Sequence, residues 1–300
     1  MNFGVIDVGA NSVRMNVYQY ENKGFDILFS KKKTLGIVSY INDGNMSEKG
    51  IQILCRCLHD FQLTLSHLHI ASLHVFATVP LRNIKNTTVV LQKIFERTGI
   101  RVHVLSGEDE GRLSFEGASI YSKLQKGLFL DVGGGSTEIV SFQDCQMHNV
   151  YSISSGSLSL FRTYVSEILP NEKQQKEIIE AMLRELKEKD PNKEYATETM
   201  LAAGGSARAC AALLKDLHMI ESTKEEIPCE KLQELITYLN REDAIRIILR
   251  CEPERIHTFF PGLLILYSTA KYYGCKKMQI SKYGVREGYV LKKILPNARF

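Results

Sequence analysis

Two short stretches 124 residues apart follow the same pattern. Val5-Ile6-Asp7-Val8-Gly9-Ala10-Asn11-Ser12 and Phe129-Leu130-Asp131-Val132-Gly133-Gly134-Gly135-Ser136 share Asp, Val, Gly and Ser in register. Each follows an apolar run and precedes a second strand pattern rather than a helix. A dinucleotide-binding fingerprint would lead from its glycines into a helix, so that reading is excluded. A tight hairpin is expected, whose glycines leave successive backbone N–H groups uncovered, and such groups form an anion-binding concavity. An aspartate at each strand end, Asp7 and Asp131, is placed to hold Mg²⁺ or its waters, because hard cations prefer carboxylate oxygens. One such hairpin is commonly only a turn; two in register point to a repeated lobe that grips phosphate.

The rest of the chain fits that repeat. Strand patterns fall over 3–7, 13–20 and 25–33, with a turn at 21–24, and Ser47 reads as the N-cap of a helix running to about 65. A strand at 73–77, a helix at 88–97, a strand at 102–105 and a helix at 108–121 complete a first set. The pattern restarts with strands at 127–131, 138–142 and 147–152, followed by helices at 158–168 and 172–189. A strand at 199–203 runs into a further glycine turn at Gly204, Gly205 and Ser206, and one short strand at 278–280 interrupts a mainly helical remainder. The charged stretch 187–193 reads as a solvated loop. This succession is α/β, with a first lobe over 1–123, a second over 124–300, and a C-terminal helix near 290–300 that can return to the first.

The composition narrows the function classes. Hydrophobic residues make up 44% and charged residues 24%, as in ordinary globular chains, which argues against disorder and coiled coil. No apolar run approaches the roughly 20 residues of a membrane span, and residues 1–7 lack the features of a secretory signal. A cytoplasmic protein with no membrane partner is expected. Seven cysteines show no paired metal spacing, with Cys55 and Cys57 as an isolated CxC, so reduced thiols are the better reading than zinc. A net charge of +4 permits an anionic ligand, but no basic run with interleaved aromatics suggests nucleic acid.

Six patches give the chain a resemblance to the exopolyphosphatase and guanosine pentaphosphate phosphohydrolase family (Ppx/GppA), within the superfamily of actin, sugar kinases and heat-shock chaperone ATPases. Residues 7–14, ending at Arg14, look like its first phosphate loop, and Ala77-Thr78-Val79-Pro80-Leu81-Arg82 is similar to its Ala-Thr-x-x-Leu-Arg segment. Ser106-Gly107-Glu108-Asp109-Glu110-Gly111-Arg112 resembles its Ser-Gly-x-Glu-Glu-Ala-Arg signature. Residues 131–138 match the second loop, Gly204-Gly205-Ser206-Ala207-Arg208 a third glycine turn, and Gly284-Val285-Arg286-Glu287-Gly288 the C-terminal helix start. The sequence departs from the family pattern at Asp109, at Gly111 where alanine is usual, and at Lys282 where aspartate is common. The resemblance implies two ribonuclease H-like (actin-like ATPase) lobes, each a mixed five-stranded sheet flanked by helices, with an interlobe cleft. It further implies the short form without an HD-type helical domain.

The same resemblance implies a hydrolase acting on the terminal phosphate of inorganic polyphosphate or of guanosine pentaphosphate, with Mg²⁺ (Mn²⁺ as a substitute) and Glu110 as the catalytic carboxylate that orients water. Phosphoryl transfer rests on positioning and charge neutralisation. Gly9, Asn11, Ser12, Arg14, Thr78 and Arg82 are candidates for holding phosphate from the first lobe, and Gly133, Gly134, Gly135, Ser136 and Thr137 from the second. Arginine suits bidentate phosphate contacts, although Arg14 and Arg82 could instead be ion-pair partners. Asp131 and Glu138, with Asp7, are the metal-ligand candidates. Gly204, Gly205, Ser206 and Arg286 are further substrate-binding candidates, with a structural turn and an Arg286–Glu287 ion pair as the alternatives. Asp109 reads better as a first-turn helix stabiliser. An ATP-dependent kinase of the same superfamily and a non-catalytic binder of guanosine tetra- or pentaphosphate stay open, as does a homodimer.

Overall fold

The computed structural model describes residues 1–22, 24–221 and 226–296. The turn expected at 21–24 and the helix expected near 290–300 therefore fall partly outside the described residues, at Lys23 and at 297–300. The chain divides into two compact units, Met1–Glu110 with the segment from Tyr289, and Gly111–Gly288. The division falls inside a helix rather than at the loop around 123/124.

In the first unit, β1 (Asn2–Val8), β2 (Ser12–Glu21) and β3 (Gly24–Thr34) form an antiparallel meander. A two-stranded hairpin, β4 (Ile41–Asn42) and β5 (Asn45–Met46), leads into α1 (Glu48–His67). Ser47 caps α1 as its sequence position requires: its Oγ accepts from Gly50 N at 3.3 Å. Next come β6 (Ser72–Ala77), a single turn α2 (Val79–Arg82), α3 (Thr87–Thr98), β7 (Val102–Val104) and α4 (Gly107–Ser119), in which the unit boundary lies. The sheet order is β3-β2-β1-β6-β7, with β6 and β7 parallel to β1. One face packs Ile6, Val8, Val13 and Met15 against Leu54, Leu58 and Phe61 of α1 and Ile94 of α3. On the other face Phe76 stacks on Tyr289, with ring centroids 4.8 Å apart.

The second unit repeats this order. β8 (Lys126–Val132), β9 (Thr137–Gln143) and β10 (Gln146–Ile153) form the meander, followed by α5 (Ser157–Tyr164), α6 (Glu172–Lys189), β11 (Thr199–Ala203) and α7 (Gly204–Asp216). β12 (Glu226–Pro228), α8 (Glu230–Tyr238), α9 (Ala244–Cys251), α10 (Phe259–Tyr273), β13 (Lys277–Ile280) and α11 (Val285–Tyr289) complete it, and α11 runs on into a π-helical turn, Val290–Ile294. The sheet has six strands, β10-β9-β8-β11-β13-β12, not the five expected. The extra strand is β12, three residues paired antiparallel to β13, too short for a periodicity signal.

Leu128, Leu130, Met200 and Ala202 face α6, α7 and α10, while Phe129, Val140, Phe142 and Leu201 cover Phe115 and Ala118 of α4. This second contact is why α4 beyond Glu110 belongs to the second unit. α4 and α11 meet backbone to backbone: a Cβ on Gly117 would lie 2.0 Å from Gly284 O, and one on Gly288 1.7 Å from Leu113 O. No described helix is long and apolar enough to cross a membrane. Seven free cysteines are present, five of them buried, and burial pushes the Cys57 thiol up to about 11.

Candidate functional site

Both glycine turns are hairpins closed by the same bond, Gly9 N to Ser12 O at 3.1 Å and Gly133 N to Ser136 O at 3.0 Å. The glycine is needed for a steric reason. A Cβ at Gly9 would sit 3.1 Å from Ser12 O, and one at Gly133 2.9 Å from Ser136 O.

The carbonyls of the second loop are occupied from outside it. Gly133 O accepts from Ser157 N at 2.9 Å and Ser157 Oγ at 3.1 Å. Gly134 O accepts from Leu158 N at 2.8 Å and Ser159 N at 3.0 Å, and Thr137 Oγ1 donates to Ser155 O at 2.6 Å. In contrast, the N–H groups of Gly134, Gly135 and Ser136 donate to no acceptor among the described residues. The first loop follows the same rule: Leu35 N and Gly36 N donate to Asn11 O at 3.0 and 2.9 Å, while the N–H groups of Ala10 and Asn11 have no acceptor among the described residues. Tied carbonyls and free amides make an anion nest.

Residues Ser155–Ser159, which hold the second loop, carry no functional signature in the sequence. Their only signal was the small-residue run Ser154-Ser155-Gly156-Ser157, which looks like an ordinary connector. Gly156 is required there because a Cβ would come 2.5 Å from Ser136 N and 2.6 Å from Gly134 C.

The residues flanking the two loops differ in charge. Asp7 pairs across the ladder with Arg14, and at the equivalent position Asp131 pairs with Glu138. Cross-strand partners share a sheet face, so the first loop is flanked by an acid and a base and the second by two acids. Glu138 is buried, and its Oε1 accepts from Ser136 Oγ at 2.6 Å and Ser152 Oγ at 2.9 Å. Asp131 Oδ2 accepts from Ser114 Oγ, and its Oδ1 faces Gly204, where a Cβ would lie 2.5 Å away. Burial raises the Asp131 carboxyl pKa, opposed by the Ser114 hydrogen bond and by the charges of Arg208 and Arg286.

This donor set fits a magnesium ion, which takes one or two carboxylates and fills its remaining positions with water and phosphate oxygens. It does not fit an all-protein cage, since no group of three or more metal-ligating side chains stands among the described residues.

Glu110 lies in the first turn of α4, mostly buried, and accepts from Arg82 Nη1 at 2.7 Å. Arg82 Nη1 also donates to Leu105 O at 3.2 Å. The ion-pair alternative for Arg82 is therefore the one seen within this unit, and the guanidinium orients Glu110. Ser106 Oγ accepts from Asp109 N at 3.0 Å and donates to Asp109 Oδ2 at 2.7 Å, so Asp109 closes the helix start. Gly111 replaces the usual alanine because a Cβ would lie 2.8 Å from Val150 Cγ1. Thr78 is buried, and its N–H donates to Val8 O at 3.2 Å beside the first loop.

The third glycine turn is corrected by the structure: Gly204, Gly205 and Ser206 are the first turn of α7, not a loop. The same glycines that suggested a turn are needed to start a helix against Asp131. Arg255, unmarked in the sequence, lies over Gly205, where a Cβ would come 2.3 Å from its Cζ. Arg286 contributes its charge near Asp131, while Glu287 Oε2 accepts from Gly284 N at 2.9 Å and caps α11.

Residues 16–297 match the model of the Ppx/GppA phosphatase family. Proteins named Exopolyphosphatase 1 from Mycobacterium tuberculosis and Mycobacterium bovis are each 26% identical to the chain over 311 residues, covering 98% of it and 88% of the relative. The crystal structure of an Aquifex aeolicus Ppx/GppA family member superposes with a TM-score of 0.82 at 22% identity, covering 100% of this chain and 99% of that one. An exopolyphosphatase from Cytophaga hutchinsonii gives a TM-score of 0.87 at 18% identity with the same coverage. At these identities the structural likeness establishes the two-lobed actin-like fold.

Proposed function

The chain belongs to the Ppx/GppA phosphatase family, and on that footing we propose that it is a Mg²⁺-dependent phosphohydrolase. It removes the terminal phosphate of inorganic polyphosphate, or the 5′-terminal phosphate of guanosine pentaphosphate, which offers the same oxyanion chain. The observation that carries this reading is the second loop, whose three free N–H groups adjoin a pair of cross-strand carboxylates.

In this reading the N–H groups of Ala10 and Asn11, and of Gly134, Gly135 and Ser136, hold phosphate oxygens. Arg14 supplies countercharge, and the Ser12, Thr78 and Thr137 hydroxyls assist. Glu110, held by Arg82, orients the attacking water. Asp131 and Glu138 would hold a magnesium ion beside the second loop, and Asp7 is the candidate cation ligand beside the first. Bound there, the cation neutralises charge developing on the phosphate oxygens. Hydrolysis is preferred over a kinase reaction because Ser106–Arg112 resembles the signature of this phosphatase family, whose model matches residues 16–297.

Phosphate release from polyphosphates of graded length and from guanosine pentaphosphate, with Mg²⁺ and with chelator, tests this. Mg²⁺-dependent release from at least one substrate is expected. Tight binding of both with no release would leave a sensor.

A further inference from the structure

The second unit holds a cavity of about 800 Å³ that neither phosphate loop lines. This is within the range of small-molecule sites. It adjoins the end of the β12–β13 ladder, which pairs Lys277 to Gln279 with Pro228 to Glu226. Its walls come from the end of α4, one face of α7 and the segment after β13. The junction is fixed: Ser281 Oγ donates to Ala118 O at 3.3 Å and accepts from Tyr283 N at 3.2 Å.

Three features of the lining point to one class of ligand. Arg208, Lys215 and Lys282 face it, and no carboxylate lines it among the described residues. Neither lysine has an ion-pair partner among the described residues. Cations gathered without acids raise the local concentration of anions. Tyr121 is 71% exposed, and its ring centroid is 5.5 Å from that of Tyr283, tilted by 36°. An exposed tyrosine ring set against a half-buried one beside cations is a stacking platform for a heterocycle. The floor, with Leu201 and Ile280, is apolar, which a bare phosphate chain would not use. Lys282, one of the departures from the family pattern, thereby acquires a role.

We propose that this cavity binds a nucleoside phosphate, with the base against Tyr121 and Tyr283 and the phosphates on Lys215 and Lys282. The site is separate from the two phosphate loops and serves binding rather than turnover.

The chain contains no tryptophan, so a Tyr121→Trp variant carries a single indole fluorophore at the cavity. ATP, adenosine and tripolyphosphate are titrated against it while the indole emission is followed. ATP is expected to change the emission saturably, at concentrations at least tenfold lower than either half-ligand. Adding Lys215→Ala and Lys282→Ala should raise the ATP half-saturation at least tenfold, with phosphate release from polyphosphate unchanged. If that variant melts early, Lys282→Ala alone should give a threefold or larger shift.

Absence of any ATP response, a response insensitive to the lysines, or tripolyphosphate binding as tightly as ATP would each overturn the proposal. If the Tyr121→Trp variant responds to ATP while the parent chain hydrolyses no substrate, the proposed function is overturned and this site stands.

Discussion

Arg82 Nη1 reaches Glu110 Oε2 at 2.7 Å and the Leu105 carbonyl at 3.2 Å, tying the carboxylate to the end of the loop that precedes its helix. Both side chains are largely buried, 17% and 12% exposed. Removing either partner therefore has a different consequence. Glu110→Gln keeps the shape and a hydrogen-bond acceptor, so kcat for phosphate release should fall about 100-fold or more with KM and melting temperature nearly unchanged. Arg82→Ala leaves a mostly buried carboxylate without its countercharge and should cost about 2–3 kcal/mol of stability as well as activity. Steady-state kinetics alongside thermal melts separate the two. Full turnover by Glu110→Gln would remove the role given to that residue.

Gly156 is the contact point between the start of α5 and the second glycine loop. A methyl there would meet Ser136 N at 2.5 Å and Gly134 O at 2.6 Å, so Gly156→Ala must displace the loop or α5. The displaced group is a backbone amide the loop is proposed to present to phosphate. KM should rise about tenfold or more, with a stability loss of about 1–3 kcal/mol from overpacking. An unchanged KM would mean that the loop's N–H groups do not hold substrate.

How much of this was legible in the sequence depends on the range of the interactions. The paired Asp-Val-Gly turns, their flanking strands and the cap at Ser47 are local, and the residues that specify them lie within a few positions of one another. The contrast between Asp7–Arg14 and Asp131–Glu138 was also readable, because a hairpin fixes its own register. The Ser157 and Ser159 bonds to the loop carbonyls were not, since they join residues more than twenty positions apart through backbone groups that any residue has. Gly204 and Gly205 misled for a related reason. Glycine signals a turn when read locally, yet here it is selected by the approach of Asp131 and Arg255 from distant segments. In the sequence Arg82 fits either a phosphate contact or an ion pair, and only the fold brings Glu110 to it.

The closest helix approach makes a prediction about stability alone. Gly288 in α11 would place a Cβ 1.7 Å from the Leu113 carbonyl of α4, and backbone cannot yield as a side chain can. Gly288→Ala should therefore destabilise the second unit by about 3 kcal/mol or more, detectable by denaturant titration. The family-like Gly-Val-Arg-Glu-Gly segment ends at this residue, so its last glycine is read as a packing requirement. A melt indistinguishable from the parent would show that α4 and α11 separate easily.

Asp131, the proposed metal ligand, carries a pH dependence of stability. Burial raises its carboxyl pKa above the ordinary aspartate value, despite the Ser114 hydrogen bond and the charges of Arg208 and Arg286. Without a cation, the folded chain then holds this proton more tightly than the unfolded chain. Raising the pH through the ordinary aspartate range, about 3.9, ionises the unfolded state first and draws the equilibrium toward it. Asp131→Asn removes that penalty while keeping an acceptor for Ser114. It should raise the melting temperature of the metal-free protein near neutrality, with the gain shrinking to zero below about pH 4. Added Mg²⁺ should stabilise the parent and not the variant, because a ligand that binds only the folded state shifts the midpoint by mass action. Equal Mg²⁺ stabilisation of both proteins would move the cation away from Asp131.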